Sequence, residues 1–453
     1  MGTARALGFI FAPNRAERSI LLGGLGSTLL AGALSFGGNQ PGMARWVLIT
    51  VLAVIGLTLC VLALRGRCAP AGLPHLAVTA VVLSLAGLGS IAVLASTLYG
   101  VTHSDIACRD DTTVATVVGA AEIRAGHNPY QTYDEIQALA QTCGTLSGTP
   151  LRTGEFAGAQ SYPTTTQIQR AARDALSDPA ASAIERRLSY PAGALLLGVA
   201  GETALVLGTV VALAAAAFAV VRRAARGARL AAALAVLAQT STWTVIDSGH
   251  PDGVATGLSV LAWLAPSPLA GAALLGAACA VKQTTWFLVL PFLVTVWRRD
   301  GWRPALLAGG VAGLVFGAIN APFVVPSPAA WLHSLLAPMV DPLFPSGDGL
   351  VAPLTNHGFT PGSMLVLSLA LGAATLVAAL LALRHGRSAA GVAAITGGLA
   401  LWFGDRSLPQ YFIGIGLLAV ALIVSASREH HDTSLATGVT LEPQPHLATV
   451  ASG

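Results

Sequence analysis

The sequence predicts an all-α integral membrane protein: a polytopic bundle of about 12 transmembrane helices with a helical extracytoplasmic loop region. Three observations carry this reading. Of 453 residues, 54% are hydrophobic and only 10% charged, against roughly a quarter charged in soluble domains. Mean hydropathy is +0.69, and the apolar residues fall into runs near the length of about 20 that a bilayer crossing needs. Arginines sit tight against the ends of alternate runs, as the positive-inside rule requires.

The elements follow in order. The N-terminal segment, 1–99, carries three apolar runs, 20–36, 46–64 and 76–99. Arg5, Arg15 and Arg18 precede the first run and no small-residue cleavage motif follows it, so it reads as a retained span rather than a signal peptide. Segment 100–190 is long, polar and rich in acids, and reads as an extracytoplasmic loop with an acidic site and interfacial helices. The transmembrane core, 191–426, holds runs at 204–221, 230–246, 305–325, 364–383, 391–403 and 411–424. Shorter runs at 254–264, 269–280 and 286–297 lie between Pro, Gly and polar breaks and complete the count. The run 191–200 is too short to cross and reads as re-entrant or interfacial. Residues 427–453 read as a disordered cytoplasmic tail.

Alternating from a cytoplasmic N-terminus places Arg65, Arg67, Arg222, Arg223, Arg226, Arg229, Arg298, Arg299, Arg303, Arg384, Arg387 and Arg428 inside, and the C-terminus inside as well. Of the short-loop arginines only Arg45 and Arg406 fall outside. The remaining ionisable residues at helix ends, Asp105, Asp110, Asp111, Asp247, His250, Asp252, Lys282, His357, Asp405 and Arg406, converge on the outer side. A transporter with a midplane site would carry charges within its spans and repeat its broken helices in two halves, and no such repeat is present. A chamber at one membrane face explains the pattern better. The net charge is +4 with no basic run interleaved with aromatics, so nothing points to a nucleic-acid partner.

Within the loop, 111–125 reads as a helix with Asp110 and Asp111 at its positive end and Gly126 as its stop. Segment 164–176 gathers Ile168, Ala171, Ala172 and Leu176 on one face. That suits either a helix lying on the membrane, with Arg170, Arg173, Arg186 and Arg187 toward lipid phosphates, or a small exported subdomain. The five cysteines show no CxxC spacing, which argues against structural zinc. Cys108 and Cys143 alone fall outside, where a disulfide between them would persist.

Three clusters carry chemistry. Asp105, Asp110 and Asp111 stand at the mouth of an apolar chamber, where a carboxylate serves as general base toward a sugar hydroxyl. Asp247-Ser248-Gly249-His250-Pro251-Asp252 offers donors and acceptors for sugar hydroxyls, with His250 suited to a phosphate. Lys282, the sole lysine among 25 basic residues, is a compact cation for a departing phosphate, and Arg406 offers bidentate geometry to its oxygens.

A polar outer loop with an acidic site and Gly126-His127-Asn128-Pro129-Tyr130, then Ser189-Tyr190-Pro191, then Gly249-His250-Pro251-Asp252, then Lys282-Gln283 with Trp286 and Pro291-Phe292, resembles the GT-C membrane glycosyltransferases. The likeness is to glycosyltransferase family 87, which includes mannosyltransferases of phosphatidylinositol mannosides. The resemblance implies a GT-C-like bundle and an inverting hexosyltransferase of the cell envelope. It would work at the outer face of a bacterial cytoplasmic membrane, with a polyprenyl-phosphate sugar, mannose first, as donor and a lipid or glycan as acceptor. It implies an aspartate base in the first large outer loop; spacing to Asn128-Pro129-Tyr130 favours Asp111, then Asp110, with Asp105 farther upstream. Lys282, His250 and Arg406 are then expected at the donor phosphate, and Tyr130, Asn128, Tyr190, Asp247, Asp252, Gln283 and His357 at the substrates. In the family this loop generally follows the first span, whereas two extra spans precede it here.

No cofactor is implied. The carboxylates around His250 are spaced to allow a divalent metal, which the chemistry does not require, and no metal ligand is assigned. A nucleotide-binding glycine loop is absent, in keeping with a lipid-linked donor. The alternative reading is a transporter or flippase of a lipid-linked glycan; a purely structural envelope protein is a third.

Overall fold

The computed structural model describes residues 14–35, 42–66, 73–103, 108, 110–144, 146, 148–159, 161–178, 183–356, 373, 377, 400–404 and 406–436. Asp105, His357, Asp405, Cys68, most of the runs 364–383 and 391–403, and the tail beyond 436 lie outside these residues.

The first helix, α1 (Arg15–Ser35), opens on a reciprocal cap: Asn14 Oδ1 accepts from the Glu17 amide at 2.9 Å and Glu17 Oε2 accepts from the Asn14 amide at 2.7 Å. It packs along α2 (Met43–Leu64) and against the last helix, and most of its surface is buried. Small residues make this crossing close. A Cβ at Gly56 would lie 2.6 Å from the Gly26 carbonyl oxygen and the Leu30 nitrogen, so only hydrogen fits there. Gly56→Ala is therefore expected to destabilise the bundle by about 1–3 kcal/mol. Gly87→Ala, at a position where a Cβ meets nothing within 4 Å, should be neutral; thermal melts of the two variants in detergent would check this.

Next comes α3 (Leu73–Thr102), 30 residues long, whose Leu88, Ile91, Leu94 and Leu98 side chains are all more than half exposed. A soluble protein could not leave such a face bare; on a membrane helix it is the lipid surface. The chain then builds a subdomain from α4 (Asp111–Arg124), α5 (Pro129–Thr132), α6 (Glu135–Cys143) and α7 (Thr165–Ser177). Its small core joins Ile136, Phe156, Ile168, Ala171, Ala172, Ile184 and Phe344. Of the apolar stripe of α7, Ile168, Ala171 and Ala172 are buried inside the subdomain, as the subdomain reading expects, while Leu176 is exposed. The arginines expected at lipid phosphates are mostly committed to acids as well: Arg170 to Glu155 at 2.8 Å, Arg187 to Asp341 at 2.6 Å, and Arg186 to Asp134.

The chain returns through α8 (Ala192–Gly198), too short to cross, then α9 (Glu202–Arg223), α10 (Arg229–Leu237), α11 (Pro251–Leu264), α12 (Pro268–Val281), α13 (Trp286–Asp300), α14 (Trp302–Val324) and α15 (Pro328–Val340). A two-residue parallel ladder pairs β1 (Ser346–Gly347) with β2 (Arg406–Ser407) just before α17 (Ile413–Ala436), with α16 (Val351–Asn356) between the two strands. The final helix thus runs past residue 427, where the tail was expected to begin.

The architecture is that of an all-α membrane protein, but the expected count of spans is corrected. Among the described residues six helical segments are long and apolar enough to cross a membrane: α1, α2, most of α3, α9, α14 and Pro409–Glu429. The runs read as spans at 230–246, 254–264, 269–280 and 286–297 become helices of 9, 14, 14 and 15 residues. Hydropathy counts residues in a window, whereas Pro251, Pro268 and the turns at 240–250 and 282–285 divide that window into pieces that start and stop inside the bundle. Of these breaks, those at 247–251 and 282–285 meet where Asp252 contacts Lys282, beside the Asp110 start of the subdomain.

Candidate active site

That place is a chamber enclosing about 960 Å3 of empty space, open solvent included, lined among others by Asp111, Glu135, Glu185, Tyr190, Lys282, Gln283, Phe287, Arg406, Gln410 and Tyr411. Four parts of the chain meet there: the starts of α4 and α6, the entry to α8, the break between α12 and α13, and β2 with the turn that follows it.

Asp110 and Asp111 are adjacent in the chain but differently engaged. Asp110 is the N-cap of α4; it accepts from the Thr113 amide at 2.7 Å and from the Thr113 hydroxyl at 3.1 Å, satisfying a helix end that would otherwise be orphaned. Asp111, the first helical residue, faces the chamber and receives only a long contact from the Thr112 hydroxyl, 3.4 Å. That hydroxyl also bonds the Tyr190 phenol at 2.7 Å. Of the two, Asp111 is the carboxylate a substrate can reach.

Lys282 ends α12 with 2% of its surface exposed. Its Nζ lies 2.8 Å from Asp252 Oδ2 and sits over the Tyr190 ring at 4.6 Å and the Tyr411 ring at 5.9 Å. The carboxylate and the two ring faces supply what water would, so the ammonium keeps its charge while facing the chamber. Asp252 also holds His250, whose Nδ1 is 2.6 Å from the same Oδ2. At that separation Nδ1 must carry a proton, since two lone pairs would repel. The Asp252 amide, 3.2 Å from Nδ1, is then a neighbour and no donor. On its other side His250 Nε2 approaches Asp110 Oδ1 at 3.6 Å, beyond a hydrogen bond but within an ion pair's reach. Lys282, Asp252, His250 and Asp110 thus form one row of alternating groups running from the chamber wall to the cap of α4.

This row bears on two expectations. His250, read as a phosphate ligand, is buried behind Asp252 and does not line the chamber; Asp252, read as a substrate contact, holds Lys282 and His250 with its carboxylate and lines the adjoining smaller cavity. Asn128 and Tyr130 are likewise moved from substrate to scaffold. Asn128 caps α5 and donates to the Phe323 carbonyl at 3.2 Å, and the Tyr130 hydroxyl donates to the Tyr190 carbonyl at 2.8 Å. Together they pin the subdomain to α14 and to the strand of chain that presents Tyr190. Asp247 sits at the end of the turn before His250 and does not line the chamber. Gln283 does line it, with its amide donating to the Ser189 carbonyl.

Arg406 reaches the chamber from β2. Its Nε is buried with no hydrogen-bond partner among the described residues. Burial opposes its charge, and Tyr411, Asp111, Tyr190 and Tyr162 outweigh burial and raise its affinity for the proton. Cys108 and Cys143 are joined by a disulfide with Cα atoms 5.3 Å apart, tying the chain just before Asp110 to the end of α6. Among the described residues no group of three or more His, Cys, Asp or Glu side chains is placed to hold a metal ion.

Sequence reasoning missed Glu135, Glu185 and Tyr411. Glu135 reads as an ordinary first-turn acid after the Asp134 cap, and Tyr411 as the start of a span. In both, the chamber that the side chain lines is assembled from segments far away in the chain. Burial pushes the carboxyls of Glu135 and Glu185 above the usual carboxylate range, with the neighbouring Asp111 adding to the effect at Glu135.

A buried cation, Lys282, and a chamber-facing carboxylate, Asp111, thus line one chamber of a bundle whose helices include six of membrane-spanning length and hydropathy. Residues 188–404, a little under half of the chain, match Glycosyltransferase family 87. The match includes Tyr190, His250, Asp252 and Lys282 and begins downstream of Asp111 and Glu135. No curated protein and no solved structure matches the chain.

Proposed function

We propose that the protein transfers a sugar, mannose foremost, from a polyprenyl-phosphate donor to a lipid or glycan acceptor at the outer face of the cytoplasmic membrane, with inversion at the anomeric carbon. The single observation that carries this reading is the pairing in one chamber of a carboxylate that faces it, Asp111, with a buried cation, Lys282, and a half-buried one, Arg406. In this mechanism Asp111 takes the proton from an acceptor hydroxyl as its oxygen attacks the anomeric carbon. The bond to the donor phosphate breaks, and the charge that gathers on the departing polyprenyl phosphate is met by Lys282 and Arg406. Tyr190 and Tyr411 shield the ammonium from water, which strengthens its hold on an anion. Below the chamber a second cavity of about 500 Å3 shares Thr284, Leu401, Gln410 and Tyr411 with it and runs between α11, α13 and α17 past Leu288, Ile415 and Leu418. It suits part of an amphiphile whose phosphate is held above. The arginine distribution supports cytoplasmic termini.

The test is transfer of label to endogenous lipids by the purified protein in membrane extract. Label is expected to move from polyprenyl-phosphate mannose and not from a nucleotide sugar. Failure with every polyprenyl-phosphate sugar tried would sink the reading and favour the flippase alternative, to be followed by an assay of lipid flipping.

A further inference from the structure

The chamber wall holds a carboxyl that no described residue engages. Glu135 is the first residue of α6, next to Asp134, whose carboxylate is used structurally: it accepts from the amides of Ile136 and Gln137, each at 3.1 Å, and pairs with Arg186. The Glu135 amide is used too, donating to the Arg186 carbonyl at 3.0 Å. Its side chain has no hydrogen bond or ion pair among the described residues, although the residue is only 8% exposed and lines the chamber. Its carboxyl therefore faces the chamber with bonding capacity that a ligand can take up. Arg406, in the same wall with its Nε buried and unpartnered, is the matching donor. No ion pair joins Glu135 to Arg406 among the described residues, so each is left for a third party.

We propose that Glu135 binds hydroxyl groups of the donor sugar and is the residue that reads their pattern, while Lys282 and Arg406 hold the phosphate to which that sugar is attached. This rests on the polyprenyl-phosphate reading above. Geometry supports it: Asp111 and Glu135 are the first residues of two helices that pack together and are tied by the Cys108–Cys143 bridge, so base and sugar reader move as one unit. Chemistry supports it as well. Burial, with Asp111 and Glu185 nearby, favours the protonated carboxyl. In that form it both donates to and accepts from hydroxyls and adds no negative charge beside a phosphodiester. A sugar ring needs both kinds of bond; a carboxylate would supply one and repel the donor.

The test uses the full-length protein in nanodiscs and two probes, citronellyl-phosphoryl mannose and citronellyl phosphate, with binding measured by calorimetry. Glu135→Ala is expected to weaken the mannosyl probe by about tenfold or more and leave citronellyl phosphate unchanged. Glu135→Gln, which keeps a donor and an acceptor, should bind both probes like wild type and so excludes a folding effect. An E135A protein that binds the mannosyl probe as tightly as wild type overturns the assignment. So does an equal loss for both probes, which would place the effect at the phosphate or the fold. If wild type binds neither probe, the donor reading itself fails and takes this assignment with it, an outcome distinct from the first two.

Discussion

Asp111→Asn is expected to lower sugar transfer by about 10²–10⁴-fold, the range that a positioned general base contributes, with donor binding retained. The neighbouring Asp110→Asn is expected to keep most of the activity. The contrast follows from geometry. Asp110 spends both carboxylate oxygens on Thr113, at 2.7 and 3.1 Å, and asparagine is as good an N-cap as aspartate. Asp111 faces the chamber with one long contact at 3.4 Å from Thr112; its amide replacement has the same shape but takes no proton. Turnover and donor binding measured side by side in the two variants decide the point. Loss of turnover in D110N with D111N active would reassign the base and would mean that His250, 3.6 Å from Asp110, takes part in proton transfer.

Asp252 is the second position where one atom should have a large effect. Its Oδ2 stands 2.8 Å from Lys282 Nζ and 2.6 Å from His250 Nδ1, with all three residues 5% exposed or less. Asp252→Asn leaves the ammonium buried with rings but no counter-charge, a loss of about 3–5 kcal/mol by comparison with other buried pairs broken on one side. The expected result is a much lower melting temperature in detergent together with weak donor binding. Lys282→Met tests the chemistry separately, since it removes the cation that faces the chamber. The double variant, Asp252→Asn with Lys282→Met, should recover much of the stability lost in D252N, because a neutral pair is inexpensive to bury, and should still fail to transfer. Restored transfer in the double variant would show that Lys282 serves only to neutralise Asp252.

How much of this was legible in the sequence differs from residue to residue. Lys282 stood out because it is the lone lysine in a chain of arginines, and it does lie in the chamber. Tyr190 and Arg406 were placed there by motif and by charge alternation, and both line the wall. Cys108 and Cys143 were matched by compartment, and they are bonded. His250 and Asp252 were found as a motif, but their contact with each other and that of Asp252 with Lys282 were not foreseen. A string of polar residues at a helix start does not say which of them faces a ligand and which faces its neighbour, and here Lys282, 30 positions away from Asp252, takes the carboxylate. Asn128 and Tyr130 failed for the same reason, their partners Phe323 and Tyr190 being brought in by other helices.

Composition and periodicity by themselves determined the membrane class, the helical architecture, the exported-looking acidic segment and the cluster of helix-end charges. These are properties of short windows, where hydrophobic transfer and helix period act locally. Tertiary structure alone decided how several of the apolar runs divide into shorter helices, which aspartate faces the chamber and which is a cap, and where the Glu135 carboxyl is placed. Those outcomes depend on pairwise contacts between distant segments. A 3.4 or 2.7 Å separation at a helix start is fixed by packing across the whole bundle and leaves no periodic trace in the chain.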